Sequence, residues 1–268
     1  MSDHPPFDNN GHQPFDPDDP PRDLDPPRSD RDYPPSLLNQ RIVAVLEVLI
    51  CSDYPTQIAL GGTLYAFGFR PFAARDALSV SYVVAISLAD TVLLVGLILL
   101  FLVVHGERPR DVFIGPRSVA GEAAYGLPLI LAAIGIAIAV LLPIRSAAPY
   151  LHTVEPNPMQ SLLRSPRDAW LFAVVVVVAG GVREELQRAF LLHRFEQYLG
   201  GGRVGVLLTS VAFGAAHWVV QGVDAAIATG VLGAFWGVVY LRRRSAVAPI
   251  VSHSGFDLIQ IVQFLMVR

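Results

Sequence analysis

The stretch that most limits what this chain can become runs from Trp170 to Phe190. An uncharged segment, Trp170-Leu171-Phe172-Ala173-Val174-Val175-Val176-Val177-Val178-Ala179, leads into Gly180-Gly181-Val182-Arg183-Glu184-Glu185-Leu186-Gln187-Arg188-Ala189-Phe190, and Leu191 and Leu192 carry the apolar pattern onward. Four charges thus sit within one short apolar segment. Each charge near the centre of a bilayer costs about 2.5–3.5 kcal/mol even on a lenient insertion scale, so charges placed there are paired or used. The stretch reads as one wall of an intramembrane active site.

Composition supports a bilayer. Hydrophobic residues make up 53% and charged residues 16%, with a mean hydropathy of +0.47; soluble domains carry about a quarter charged residues. The net charge of -3 is weighted by acids crowded before Tyr33, and every basic residue other than histidine is arginine, which excludes lysine Schiff-base chemistry. The single cysteine, Cys51, excludes an intramolecular disulfide and a cysteine-based zinc cluster.

Residues 1–36 read as a disordered, acidic, Pro-rich tail, too poor in aliphatic side chains to bury a core and without the basic start and apolar centre of a signal peptide. Residues 37–268 read as a membrane-embedded helical domain. Leu37 to Ile50 and Ile58 to Phe69 are short for separate spans, and Pro55 breaks between them; either one lies in the interface or both form one kinked helix. Tyr82 to Val104 is a span whose one charge, Asp90, reads either as a site residue or, the safer reading, as a helix-facing acid with a partner. Ala120–Ile144, Asp168–Tyr198, Arg203–Val220, Ala225–Leu241 and Ala246–Val267 follow, with Gly200-Gly201-Gly202 as a turn. The expected architecture is all-α: a polytopic membrane bundle of about six to eight transmembrane helices with an internal polar cavity.

Arginine falls in three connections: Arg108, Arg110 and Arg117; Arg194 and Arg203; and Arg242-Arg243-Arg244. An arginine excess marks the cytoplasmic face. The expectation is a multi-pass protein of the plasma membrane with its N-terminal tail in the cytoplasm.

Three motifs carry the chemistry. Glu184 and Arg188, four apart, share a helix face, with Glu185 three from Arg188; an arginine beside a carboxylate orients it by a bidentate bond. Val211-Ala212-Phe213-Gly214-Ala215-Ala216-His217-Trp218 sets His217 one turn after Phe213 in a helix of small residues that permit close approach. His253-Ser254-Gly255-Phe256-Asp257 sets an imidazole and an acid one turn apart. Singly, these also fit an interfacial salt-bridge network, a packed histidine and a local hydrogen bond. Together they suit water activation, with a carboxylate as general base and a histidine placing the water or stabilising the oxyanion. Glu184, His217 and His253 would equally serve as ligands of a divalent metal such as zinc, although the His-Glu-x-x-His signature is missing. A proton-coupled transporter would use buried acids too, but no inverted repeat of broken helices is visible.

At Glu184-Glu185-Leu186-Gln187-Arg188, Phe213-Gly214-Ala215-Ala216-His217 and His253-Ser254-Gly255-Phe256-Asp257 the chain resembles the CPBP family, the CAAX-protease and bacteriocin-processing intramembrane proteases, also called the Abi or type II CAAX endopeptidase-like family. The likeness covers roughly residues 112–268 and includes Phe113-Ile114-Gly115-Pro116-Arg117. It implies a cavity open toward the cytoplasm and endopeptidase cleavage of a membrane-associated protein or peptide by glutamate-activated water near two histidines, with or without a metal. It also implies membrane lipid and a membrane-bound substrate as partners, with no nucleic acid. The implied site is Glu184, Glu185, Arg188, His217, His253 and Asp257, with Asp257 helping to form the oxyanion site. The family places three residues between its glutamate pair and its arginine, whereas this chain has two. Matching Arg188-Ala189 to the family's arginine and small residue puts Arg183 in the place of the first glutamate. A catalytically inactive scaffold or binding protein of the same fold is the alternative.

Overall fold

The computed structural model describes residues 36–72, 78–154 and 162–267; apart from Ser36, the expected tail lies outside them. Among the described residues the chain is an all-α bundle without strands, the one β-type contact being an isolated bridge between Phe72 and Leu78. The helices are α1 (Leu37–Ile50), α2 (Tyr54–Ala66), α3 (Val80–Val104), α4 (Pro109–Phe113), α5 (Val119–Ala147), α6 (Pro166–Val175), α7 (Glu184–Tyr198), α8 (Gly202–Gln221), α9 (Val223–Arg243) and α10 (Val247–Val267). A 3-10 turn, Pro149–Leu151, follows α5, and a π-helical segment, Val176–Arg183, joins α6 to α7 without a loop.

Serine hydroxyls start three of the helices. Ser79 accepts from Tyr82 N, Ser118 from Gly121 N and Ser165 from Asp168 N, each satisfying a backbone donor that the first turn leaves free. Pro128 and Pro143 lie inside α5 without ending it, as transmembrane helices allow where neighbours re-satisfy the freed carbonyls.

By length and composition α3, α5 and α9 are able to cross a membrane, and α1 with α2, bent by 43° at their break, passes as a fourth span. The chain is an integral membrane protein. Of the alternatives open for Leu37 to Phe69, the structure has two helices in sequence with a sharp bend. At 20 and 21 residues, α8 and α10 match the length of α9. Only 6% of the apolar window of α5 is buried within the bundle, so Leu127 and Leu131, exposed to 59% and 72%, form a lipid-facing surface.

Lipid removes most of the hydrophobic drive for helix association, leaving close packing and polar contacts to hold the bundle. Gly214 of α8 lies against the α9 backbone; a Cβ there would stand 2.6 Å from Ala226 O. Phe190 and Leu192 of α7 join Leu94, Ile98 and Leu102 of α3 in the largest buried apolar cluster. The three arginine-bearing connections meet at one end: Ala246 N bonds Phe113 O, Arg243 pairs with Glu122, Arg244 with Glu196, and Arg117 with Glu122. Gly115, at φ 67°, is required there, because a Cβ would fall 2.0 Å from Arg244 O.

Candidate active site

The expected helix from Asp168 to Tyr198 is continuous but changes type in the middle. Residues 176–183 wind as a π-helix and α-helical winding resumes at Glu184. Such wider turns recur at functional sites because they re-aim the side chains that follow. Gly180 and Gly181 lie in this segment against α10. A Cβ on Gly181 would meet Ser254 Oγ at 1.8 Å, and one on Gly180 would meet Asp257 Oδ2 at 2.8 Å. The glycine pair therefore lets the His253–Asp257 turn reach the glutamates.

Glu185 is closed in. Its Oε1 accepts both from Arg188 Nη1 and from His253 Nδ1, the latter at 2.8 Å, and its side chain is 1% exposed. Helical spacing brings both Glu184 and Glu185 within reach of Arg188, and the structure pairs it with Glu185. The reason lies on other helices: the Arg188 guanidinium stands 4.7 Å over the Phe213 ring and 5.8 Å over Trp236, which aims it at Glu185. Glu184 instead accepts from Arg183 Nη2 at 3.2 Å.

His253 is the hub. Its Nδ1 donates to Glu185, because a carboxylate in an ion pair with arginine accepts only. Its Nε2 then faces Glu184 Oε2 at 3.9 Å and Asp257 Oδ2 at 3.6 Å. These separations are too long for direct hydrogen bonds and suit a shared bridging group. The ring stacks on Trp236, centroids 3.9 Å apart at 16°, and meets the Phe213 edge at 90°. Trp236 is held in turn by its Nε1–H donating to Ser252 Oγ at 3.1 Å. Side-chain exposure separates the acids: 16% at Glu184 and 22% at Asp257 against 1% at Glu185. The site opens between Glu184 and Asp257.

His217 stands beside this group. Its Nδ1 donates to Phe213 O at 2.8 Å, leaving Nε2 for another partner, and its ring packs edge-on against Phe213, which also touches His253. It forms no hydrogen bond or ion pair with Glu184, Glu185, His253 or Asp257. Among the described residues no three of histidine, cysteine, aspartate or glutamate are disposed to hold a metal ion. The set Glu184, His217 and His253 is not gathered for that purpose, and Phe213 packs against both imidazole rings. A cavity of about 590 Å³ lies between α8 and α9, lined by small and apolar residues with Arg203 and Ser210. None of the six expected site residues lines it.

Sequence reasoning passed over Trp236 and Asp53. A signal for Trp236 was present: Gly233 and Gly237 flank it, a Cβ at either would stand 3.7 Å from the Arg188 side chain, and a tryptophan between such glycines marks a face built around something bulky. Asp53 carried no local signal. It lies in the α1–α2 break and bonds Arg183 Nη1 at 2.8 Å, while Asp90, the lone charge of α3, finds its partner in the same Arg183 nitrogen.

In comparisons with known proteins, residues 166–259 match the family model described as type II CAAX prenyl endopeptidase Rce1-like. No curated protein and no solved structure matches the chain.

Proposed function

From the match of residues 166–259 to the type II CAAX prenyl endopeptidase Rce1-like family model, we propose that the chain is an intramembrane endopeptidase in which Glu184 activates water. The observation that carries this is the convergence of Glu184 Oε2, His253 Nε2 and Asp257 Oδ2 on one opening, with His253 locked from behind by Glu185.

The division of labour follows from exposure and partners. Glu185 is saturated by Arg188 and His253 and serves to hold the imidazole. Glu184 keeps one oxygen toward the opening and takes a proton from water there. His253 Nε2 accepts the other hydrogen of that water and so fixes its direction of attack. Hydroxide adds to the scissile carbonyl, the C–N bond breaks, and the proton held by Glu184 passes to the departing amine. His217, with Nε2 unspent, is the group for the developing oxyanion when it is an imidazolium.

The inactive-scaffold reading would gain support from Arg183 occupying the opening. Its guanidinium instead bonds Asp53 and Asp90, leaving Glu184 Oε2 toward His253. The arginine-bearing end is proposed to face the cytoplasm, with the site reached from that side and from lipid, and a membrane-anchored peptide as substrate.

The test is cleavage of a farnesylated fluorogenic peptide ending in a C-a-a-X sequence by the purified chain in liposomes. Glu184→Gln is expected to lower kcat by about 10²- to 10⁴-fold with the unfolding temperature unchanged. Equal cleavage by wild type and Glu184→Gln would end this assignment of the base.

A further inference from the structure

Arg183 is nearly fully buried and reaches four partners. Its Nε–H donates to Ala179 O at 3.3 Å, its Nη1 to Asp53 Oδ1 at 2.8 Å and to Asp90 Oδ2, and its Nη2 to Glu184 Oε1 at 3.2 Å. The three carboxylates arrive from three places: the α1–α2 break, the middle of α3 and the first turn of α7. Asp53 holds φ 78°, uncommon for a side chain with a Cβ, and Gln57 Nε2 fixes its second oxygen at 2.7 Å. The other Asp90 oxygen has no hydrogen-bond partner among the described residues.

The contacts are unequal in a way that matters for Glu184. Charge-assisted N–H···O bonds run about 2.7–2.9 Å. Arg183 bonds Asp53 Oδ1 at 2.8 Å, inside that range, and Glu184 Oε1 at the longer 3.2 Å. Were Glu184 the guanidinium's only counter-charge, the two would close into a tight buried pair and both glutamate oxygens would be drawn toward it. With Asp53 and Asp90 both accepting from it on the far side, Arg183 touches Glu184 through Oε1 alone and Oε2 stays toward His253.

We propose that Arg183 is a positioning residue for Glu184, and that Asp53 and Asp90 are the acceptors that hold the guanidinium where it orients this carboxylate without capturing it. This gives a use to the arginine standing where the family has its first glutamate. It rests on the reading of Glu184 as the base.

The experiment compares wild type, Asp90→Asn and the charge-balanced double variant Arg183→Gln/Asp90→Asn, the last included because Asp90→Asn alone can fail to fold. Each is assayed for kcat and KM on the farnesylated peptide in liposomes, and each structure is solved to locate the Glu184 carboxylate. In Asp90→Asn, Arg183 is expected to close on Glu184 and draw Oε2 away from His253; in the double variant, Glu184 is expected to lose its anchor and swing free. In both, kcat is expected to fall by about 10²-fold with KM held within about twofold, the mark of a misplaced reacting group. Wild-type rates together with an unmoved Glu184 in the folded variants would overturn the proposal and leave the protease reading standing. A wild-type protein that leaves the peptide uncut, with Glu184 displaced in the variants, would overturn the protease reading and uphold the positioning.

Discussion

Arg183 and Arg194 stand about three turns apart at the two ends of one helical stretch, and both reach back to the same neighbours. Arg183 takes Asp53 from the α1–α2 break and Asp90 from α3. Arg194 takes Glu47 from α1 and Glu107 from the connection just after α3, with Gln197 beside it. Two buried arginines thus fasten the loosely packed α1–α2 arm to the bundle with the same chemistry. They part at the last partner. Glu107 and Glu47 are also bound by His193 and His105, so the acids around Arg194 bond inward to protein. Beside Arg183, Glu184 turns one oxygen to an opening that also holds His253 and Asp257. A buried arginine among acids therefore does not mark a site; an acid left half-satisfied opposite an anchored imidazole does.

The largest expected effect breaks the structural side of this comparison. Arg194 is 1% exposed and Glu47 3%. Removing one member of a buried pair strands the other, at about 3–5 kcal/mol. Arg194→Met should lower stability by that amount in denaturant titrations in micelles, with kcat per folded molecule unchanged. Lost kcat with stability intact would show that the Arg194 cluster also serves the site.

Gly181→Ala sharpens the catalytic side. Its Cβ would drive into Ser254, including the α10 backbone at 3.2 Å. Overpacking of this kind costs about 1–3 kcal/mol, and here it also pushes His253 from Glu185. Peptide cleavage should fall far more than stability does; a drop in both by the same fraction would argue against His253 as the hub.

The smallest effect is graded by pH. Burial pushes the Glu107 carboxyl up, but hydrogen bonds from His193, Gln197 and Arg194 and the Arg194 charge outweigh it and bring it from 4.5 down to about 2. A depressed folded-state value stabilises the fold above the unfolded value, and that stability is lost as pH falls from about 4.5 toward 2. Unfolding temperature should decline over that window, and Glu107→Gln should flatten the decline. An unchanged slope in Glu107→Gln would place the acid sensitivity elsewhere.

Much of this site is visible in the chain itself. Long apolar runs broken by few charges announce membrane helices, and the observed α3, α5 and α9 bracket the expected spans within a few residues. The His253–Asp257 spacing and the adjacent glutamates put acids and imidazole on helix turns at predictable intervals. Helical spacing offers Arg188 both glutamates, and the choice between them depends on Phe213 and Trp236 from other helices. The π-helical turn at 176–183 was not legible either, since four valines and two glycines fit an ordinary helix as well as a widened one.

The sequence by itself determined the all-α membrane class and which turns of helix carry acid and imidazole, because both follow from hydropathy and from intervals of three or four residues. Only the tertiary structure decided which glutamate is closed and which is open, and where Arg183 spends its charge. Those outcomes depend on partners 68, 93 and 130 residues away in the chain, brought within hydrogen-bonding reach by helix packing that no local interval encodes.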